Sequence, residues 1–171
     1  LSLHDALPIF HVSKETVSFT DSVYGRQQDD LPSSCGDFVV RRADDMYAYQ
    51  LAVSVDDGSM AITHVLRGED LLSSTAQQIW LMKILGYEAP CYTHVPMLID
   101  GDGNRLSKRQ QGITVRALRQ DGVDAETILS HLAYAGGLVP ERRRYSRADL
   151  VNICDFKKLR TEPIVIAGTM K

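Results

Sequence analysis

The sequence predicts an α/β fold: half of a doubly wound domain with a parallel sheet and flanking helices, ending in a short helical extension. Three observations predict it. Residues 62–66 (ITHVL) are an unbroken apolar run of the kind shown by a strand buried on both faces. A helical pattern over residues 75–85 follows, then a second strand-like run over 92–99, giving the order strand, helix, strand. Beyond residue 113 the pattern is helical. Ligands of such sheets sit past the carboxyl ends of the strands, which points to Arg67-Gly68 and to the loop at 100–109.

Taken in order, residues 1–10 (LSLHDALPIF) lack the basic start and long apolar core of a signal peptide and have no clean period. They look like a non-native lead-in, and the chain begins without Met. Residues 17–19 alternate like a short strand, 25–35 are polar and predict a loop, and 37–42 hold a strand core. Residues 49–55 fit either a strand (Leu51, Val53, Val55) or a helical face (Tyr49, Ala52, Val53), closed by Asp56-Asp57-Gly58. Ser73, Ser74 and Thr75 offer N-caps to a helix with an apolar face of Ile79, Leu81, Met82 and Leu85, and Gly86 is its stop. The strand over 92–99 is interrupted at Pro96, and 100–104 (DGDGN) is turn-rich. Thr114 and Asp124 can cap helices over 115–120 and 125–135, and 149–153 predicts one more short helix.

The composition is that of an ordinary globular chain: 171 residues, 44% hydrophobic and 24% charged, with no run near the ~20 apolar residues of a membrane span. Cys35, Cys91 and Cys154 are odd in number, far apart and without a CxxC pair. They predict free thiols in a reducing, cytoplasmic setting rather than a disulfide framework or a cysteine metal site. The net charge of −3 hides an asymmetry: residues 1–102 carry −9 and residues 103–171 carry +6. The basic back third predicts an anionic partner that touches only that part.

Three features carry candidate chemistry. Arg105-Leu106-Ser107-Lys108-Arg109 puts three cations in five residues after a flexible loop, suited to folding over a polyphosphate; the plainer alternatives are a solvated basic turn or a kinase-type phosphosite. Arg67, at the mouth of a buried strand, suits a bidentate grip on a carboxylate, against a structural ion pair with Glu69 or Asp70. Tyr49 offers a hydroxyl to a small polar substrate, against a core-filling aromatic. His64 and His94 have no carboxylate or Cys at a ligand spacing and are taken as satisfied structural histidines over a catalytic base, and Asp56-Asp57 as a helix-end or turn acidic pair over a magnesium site. No metal ligand set is assigned.

The combination is more specific than its parts. Tyr49-x-x-Ala52-x-x-x-Asp56-Asp57 precedes Ile62-Thr63-His64-Val65-x-Arg67-Gly68-x-Asp70, then Leu85-Gly86, His94-Val95-Pro96 and Arg105-Leu106-Ser107-Lys108-Arg109. Over residues 17–138, and more weakly in the tail, this order resembles the glutamyl/glutaminyl branch of the class I aminoacyl-tRNA synthetases. RLSKR stands where that family has its KMSKS-type loop. The tail over 155–166 (DFKKLRTEPIVI), with AYQLAV and DLLSST, is similar to the short ending of the glutamyl-queuosine tRNA(Asp) synthetases.

The resemblance implies the second half of a class I synthetase Rossmann-type parallel sheet. It implies a partition into the lead-in 1–10, the end of an inserted acceptor-binding region at 11–47, the second half of the nucleotide-binding domain at 48–113, and a helical stem-contact-like extension at 114–171. It implies ATP with Mg²⁺, L-glutamate and tRNA as partners, and no membrane. Lys108 inherits the role of steadying ATP phosphates, within an ATP-binding loop of Arg105, Leu106, Ser107, Lys108 and Arg109. Tyr49 and Arg67 inherit L-glutamate binding, and Arg116, Arg119 and Arg142 to Arg144 face tRNA phosphates or water. The family's HIGH-type motif has no H-x-G-H-like counterpart here, and its cysteine-rich zinc site belongs to the upstream part. The chain is therefore expected to be inactive alone. The alternatives are a truncated glutamyl-tRNA synthetase and a non-catalytic RNA-binding paralogue.

Overall fold

The computed structural model describes residues 7–12, 14–106 and 114–166. The chain divides into two compact units, Leu1–His94 and Val95–Lys171.

The first unit holds a four-stranded sheet. β2 (Thr16–Asp21) and β3 (Gly25–Asp30) form an antiparallel hairpin, and β6 (Cys91–Val95) pairs parallel to β2 through Asp21 and Tyr92. β5 (His64–Gly68) lies beyond β6, so the order is β3-β2-β6-β5. The sequence reading placed a loop over residues 25–35; the structure corrects this to β3 followed by the single turn α1 (Leu31–Ser34). GRQQDD is an edge strand without apolar alternation, so only its pairing makes it a strand. Asp21 Oδ1 accepts the Val23 and Tyr24 amides, both at 2.9 Å, and Gly25 at φ +68° completes the turn between β2 and β3.

The ambiguous segment at 49–55 is helical: α2 spans Tyr49–Ser59 and runs through Asp56-Asp57-Gly58, which the sequence alone marks as a stop. Gly58 is required there by packing. A Cβ on it would sit 2.4 Å from Cγ of Tyr87. A 3-10 turn (Glu69–Ser74) leads into α3 (Thr75–Leu85), which ends as expected at Gly86 with φ +78°. Ser74 occupies the N-cap position but its side chain makes no capping bond. Ala76, Trp80, Leu81 and Met82 are buried, while Leu85 is exposed. Trp80 meets Phe10 edge-on at 5.2 Å and joins Val17 and Leu31 in the core. Ile9 and Phe10 form β1, paired with β4 (Phe38–Val39), so the end of the lead-in is part of this fold.

In the second unit, β7 (Leu98–Ile99) pairs parallel with β8 (Ile164–Val165). Between β7 and Arg105 the turn is tied by Asp100 Oδ1, which accepts the Asp102 and Asn104 amides. Three helices follow: α4 (Val115–Gln120), α5 (Ala125–Ala135) and α6 (Arg147–Ile153). Thr114 and Asp124 cap α4 and α5 as their side chains predict, and Ser146 with Asp149 closes a capping box on α6. Leu118, Ile128 and Ile166 form the core, with Leu106 packed against them. Among the described residues no helix is long and apolar enough to cross a membrane.

Candidate functional site

Arg67 stands on β5, one residue before its end, half-buried, and four hydrogen bonds fix its guanidinium. Nε donates to His94 Nε2 (3.0 Å), Nη1 to Gln78 Oε1 (2.7 Å), and Nη2 to Thr75 Oγ1 (2.8 Å) and the Leu71 carbonyl (3.4 Å). Its cationic carbon lies 5.1 Å from the centre of the Tyr92 ring. All these partners are neutral. The expected bidentate grip on a carboxylate is therefore corrected. Protein acceptors already take Nε and Nη2, and of the five N–H groups one, on Nη1, is left for a ligand. The alternative, direct pairing with Glu69 or Asp70, is not the arrangement either. The Glu69 carboxylate accepts the Tyr24 hydroxyl, and Asp70 bears on Arg67 as a nearby charge.

Behind Arg67 lies a buried relay. His94 is fully enclosed; its Nδ1 is 2.7 Å from Asp21 Oδ2, and the same oxygen accepts the His94 amide at 3.0 Å. A ring nitrogen that accepts from a guanidinium carries no proton, so Nδ1 bears the proton and donates a hydrogen bond to Asp21. Burial pulls the His94 pKa below its ordinary value; the bond to Asp21 opposes this and the Arg67 charge adds to it. Burial likewise lowers the Arg67 pKa, opposed by Tyr92, Tyr49, Asp57 and Asp70 in that order. The guanidinium stays charged across any working pH.

Gln78 is anchored in turn. Its Nε2 donates to Gln50 Oε1 at 2.5 Å, and the Ser54 hydroxyl donates to the Gln50 carbonyl at 2.8 Å. The relay thus ties β2, β5 and β6 to α2 and α3 around one cation. Tyr49, the first residue of α2, is 55% exposed, and its phenol bears electrostatically on Arg67. Tyr92 is buried under the guanidinium. Its hydroxyl is the one buried side-chain polar atom among the described residues with no hydrogen-bond partner, and burial pushes its pKa up to about 12.

Sequence reasoning missed Asp21, Gln50, Thr75, Gln78 and Tyr92, whereas His94, taken as a satisfied structural histidine, is buried with both ring nitrogens hydrogen-bonded. The available signal was polar residues on buried faces: Gln77-Gln78 inside α3, and His94 two places from Tyr92 on β6. Of the ATP-loop residues, Arg105 and Leu106 belong to the second unit, where Arg105 bridges to Ile99 and Leu106 turns inward. Ser107, Lys108 and Arg109 lie outside the described residues. Among the described residues no cluster of three or more His, Cys, Asp or Glu side chains could hold a metal ion. Cys91 and Cys154 are exposed free thiols, and burial raises the pKa of half-buried Cys35.

A family model described as tRNA synthetases class I (E and Q), catalytic domain, matches residues 9–161. The glutamyl-Q tRNA(Asp) synthetase of Symbiobacterium thermophilum is 44% identical over 165 residues, covering 96% of this chain and 49% of that protein. The glutamate–tRNA ligase of Aquifex aeolicus is 37% identical over 155 residues, covering 88% and 32%. A crystal structure of a glutamate tRNA ligase from Elizabethkingia meningosepticum, in complex with its amino acid, superposes with a TM-score of 0.73 at 23% identity over 89% of this chain and 34% of that one. At that identity the likeness shows the fold. The chain spans about half the length, or less, of the curated relatives it matches. With the family model matching nearly all the described residues, the chain belongs to the class I tRNA synthetases of the glutamate and glutamine branch, within their catalytic domain.

Proposed function

We propose that this chain supplies the amino-acid-binding and ATP-loop half of an enzyme that activates L-glutamate with ATP and transfers it to tRNA, the acceptor being the queuosine of tRNA(Asp). The observation that carries this reading is the Arg67 site: a charged guanidinium held by neutral partners, one N–H left over, with the exposed Tyr49 phenol nearby. A site of this make-up favours an anionic amino acid and loses affinity for an analogue that leaves the guanidinium unpaired. In the activation step a glutamate carboxylate oxygen attacks the α-phosphorus of ATP and pyrophosphate leaves. An RNA hydroxyl then attacks the acyl carbon and AMP leaves. Arg105 to Arg109, Lys108 foremost, neutralise charge developing on the phosphates, with Mg²⁺ entering as part of the ATP substrate.

The queuosine acceptor rests on the 44% relative and on the tail. Transfer to tRNA(Glu) is the second reading, favoured by the glutamate–tRNA ligases among the relatives. The partition at residues 11–47, 48–113 and 114–171 is part of the same proposal. Titration of L-glutamate into this chain, with L-glutamine and L-aspartate as comparators, tests the first part: glutamate binds best, and Arg67→Ala abolishes binding. Equal affinity for all three, or binding indifferent to Arg67→Ala, overturns it. Gel-shift competition between the anticodon stem-loop of tRNA(Asp) and the acceptor stem of tRNA(Glu) separates the two acceptors. Without a HIGH-type element, ATP–pyrophosphate exchange by this chain alone is expected to be absent.

A further inference from the structure

Two glutamine side chains on separate helices form a directed chain that ends at the Arg67 guanidinium. Arg67 Nη1 donates to Gln78 Oε1 at 2.7 Å, and Gln78 Nε2 donates to Gln50 Oε1 at 2.5 Å. A guanidinium accepts nothing, so Gln78 must turn its oxygen to Arg67. Its nitrogen then faces α2, and Gln50 must present its own oxygen in turn. Reversing either amide sets donor against donor, so the chain has one orientation.

The other contacts on Arg67 leave this arm a separate task. Nε and Nη2 are held at one place, because their acceptors His94 Nε2 and Thr75 Oγ1 lie 3.3 Å apart. A planar fork held along one edge can still tilt about that edge. Nη1 is the third corner of the fork. Gln78 holds it, and the N–H left for a ligand is on the same nitrogen.

The two glutamines differ in what else holds them. Gln78 is enclosed, and its side-chain amide makes these two bonds alone among the described residues. Gln50 is half-buried, and its Nε2 makes no hydrogen bond among the described residues, so its amide contributes through the oxygen. Without that oxygen, Gln78 Nε2 becomes a buried donor with no acceptor. Turning the amide relieves this, and turning carries Gln78 Oε1 off Arg67. We infer that Gln50 is a positioning residue for the amino-acid site: acting through Gln78, it holds the third corner of the Arg67 guanidinium and so aims the one N–H that meets the substrate anion. The inference rests on the reading of Arg67 as an L-glutamate ligand.

The test begins with magnetic resonance of the ligand-free 171-residue chain. The two Nη1 protons of Arg67 give separate resonances while Gln78 holds one of them, and a single averaged one when Nη1 turns freely. Wild type and Gln50→Glu should keep them separate, since a carboxylate oxygen receives Gln78 Nε2 as the amide oxygen does. Gln50→Met is similar in volume and leaves intact the Ser54 bond to the residue 50 carbonyl, so the helix stays tied, but the two protons should average. Calorimetric titration gives the second reading. L-Glutamate affinity should fall ~10-fold in Gln50→Met and in Gln78→Met, the loss of one charge-assisted bond. The double variant should lose no more, because both changes act on the same Nη1 contact. Additive losses, or Nη1 protons that stay separate in Gln50→Met, overturn the inference. Averaging in Gln50→Glu as well as in Gln50→Met also overturns it. A wild-type chain that binds no L-glutamate overturns the proposed function instead, and the resonances of the free chain still decide whether Gln50 holds the guanidinium.

Discussion

Exchanging His94 for glutamine or for asparagine separates the two jobs of the buried relay. The imidazole donates through Nδ1 to Asp21 at 2.7 Å and accepts through Nε2 from Arg67 at 3.0 Å. An asparagine amide reaches the Nδ1 position and keeps Asp21 satisfied, but leaves Arg67 Nε without an acceptor. A glutamine carbonyl reaches the Nε2 position and keeps Arg67, but leaves Asp21 Oδ2 with the backbone amide alone. A buried carboxylate that loses a hydrogen bond costs ~1.5–3 kcal/mol, and the half-buried guanidinium, which recovers part of its loss from water, costs ~1 kcal/mol. Since ~1 kcal/mol moves the melting temperature of a chain this size by ~2–4 °C, His94→Gln should melt ~3–12 °C below wild type and His94→Asn ~2–4 °C below. L-Glutamate affinity should fall in the opposite order: little changed in His94→Gln, and ~10-fold weaker in His94→Asn, where the guanidinium is free to rotate. Urea unfolding and calorimetric titration of the same samples give both rankings. Identical rankings in the two measurements would show that His94 only fills space, and the relay would be discarded.

Three further outcomes follow from the same geometry. Tyr92→Phe removes the unpartnered hydroxyl while keeping the ring under Arg67, and should raise stability by ~1 kcal/mol in urea unfolding; a loss of that size would reveal a partner for the oxygen. Gly58→Ala drives a Cβ into the Tyr87 ring and should destabilise by ~1–3 kcal/mol despite the better helix propensity of alanine, whereas a gain would mean that Tyr87 moves aside without penalty. Because the folded-state pKa of His94 lies below its unfolded value of 6.5, the unfolded chain binds the extra proton first. The stability this contributes is complete above pH 6.5 and is lost as pH falls from there through the lowered folded value. In His94→Gln that segment of the stability–pH curve should be flat, and an unchanged slope would assign the titration to another group.

The sequence was legible where local chemistry decides structure. The stop at Gly86 and the caps Thr114 and Asp124 each act within a turn of their own position, whereas the apolar run before Arg67 forms β5 without the burial on both faces it predicts, Leu66 being 60% exposed. It was illegible where partners are distant. GRQQDD becomes a strand only because Thr16–Asp21 folds back against it, and α2 continues through Asp-Asp-Gly because Tyr87, 29 positions later, packs on the bare Gly58. The site divides along the same line. Arg67, Tyr49 and the basic loop stand out by residue type, but the contacts that hold Arg67 come from 8, 11 and 27 residues away, and the Asp21–His94 bond closes over 73.

Those distant partners explain why the arginine can serve an anion at all. A carboxylate placed directly on the guanidinium would hold it firmly but cancel most of its field, and breaking that pair to admit a ligand would leave two buried charges exposed to a poor solvent. Here the fixing contacts are an imidazole nitrogen, an amide oxygen, a hydroxyl and a carbonyl, while the negative charge of Asp21 sits one imidazole further back. Orientation is thereby separated from neutralisation: the guanidinium is held by Nε, Nη1 and Nη2 without being paired. Lys in place of Arg67 should therefore fail even with its charge intact, because an ammonium cannot reach His94, Gln78 and Thr75 in one plane. Arg67→Lys should lose at least as much L-glutamate affinity as His94→Asn, and a lysine variant that binds like wild type would show that charge alone, not the built orientation, makes the site.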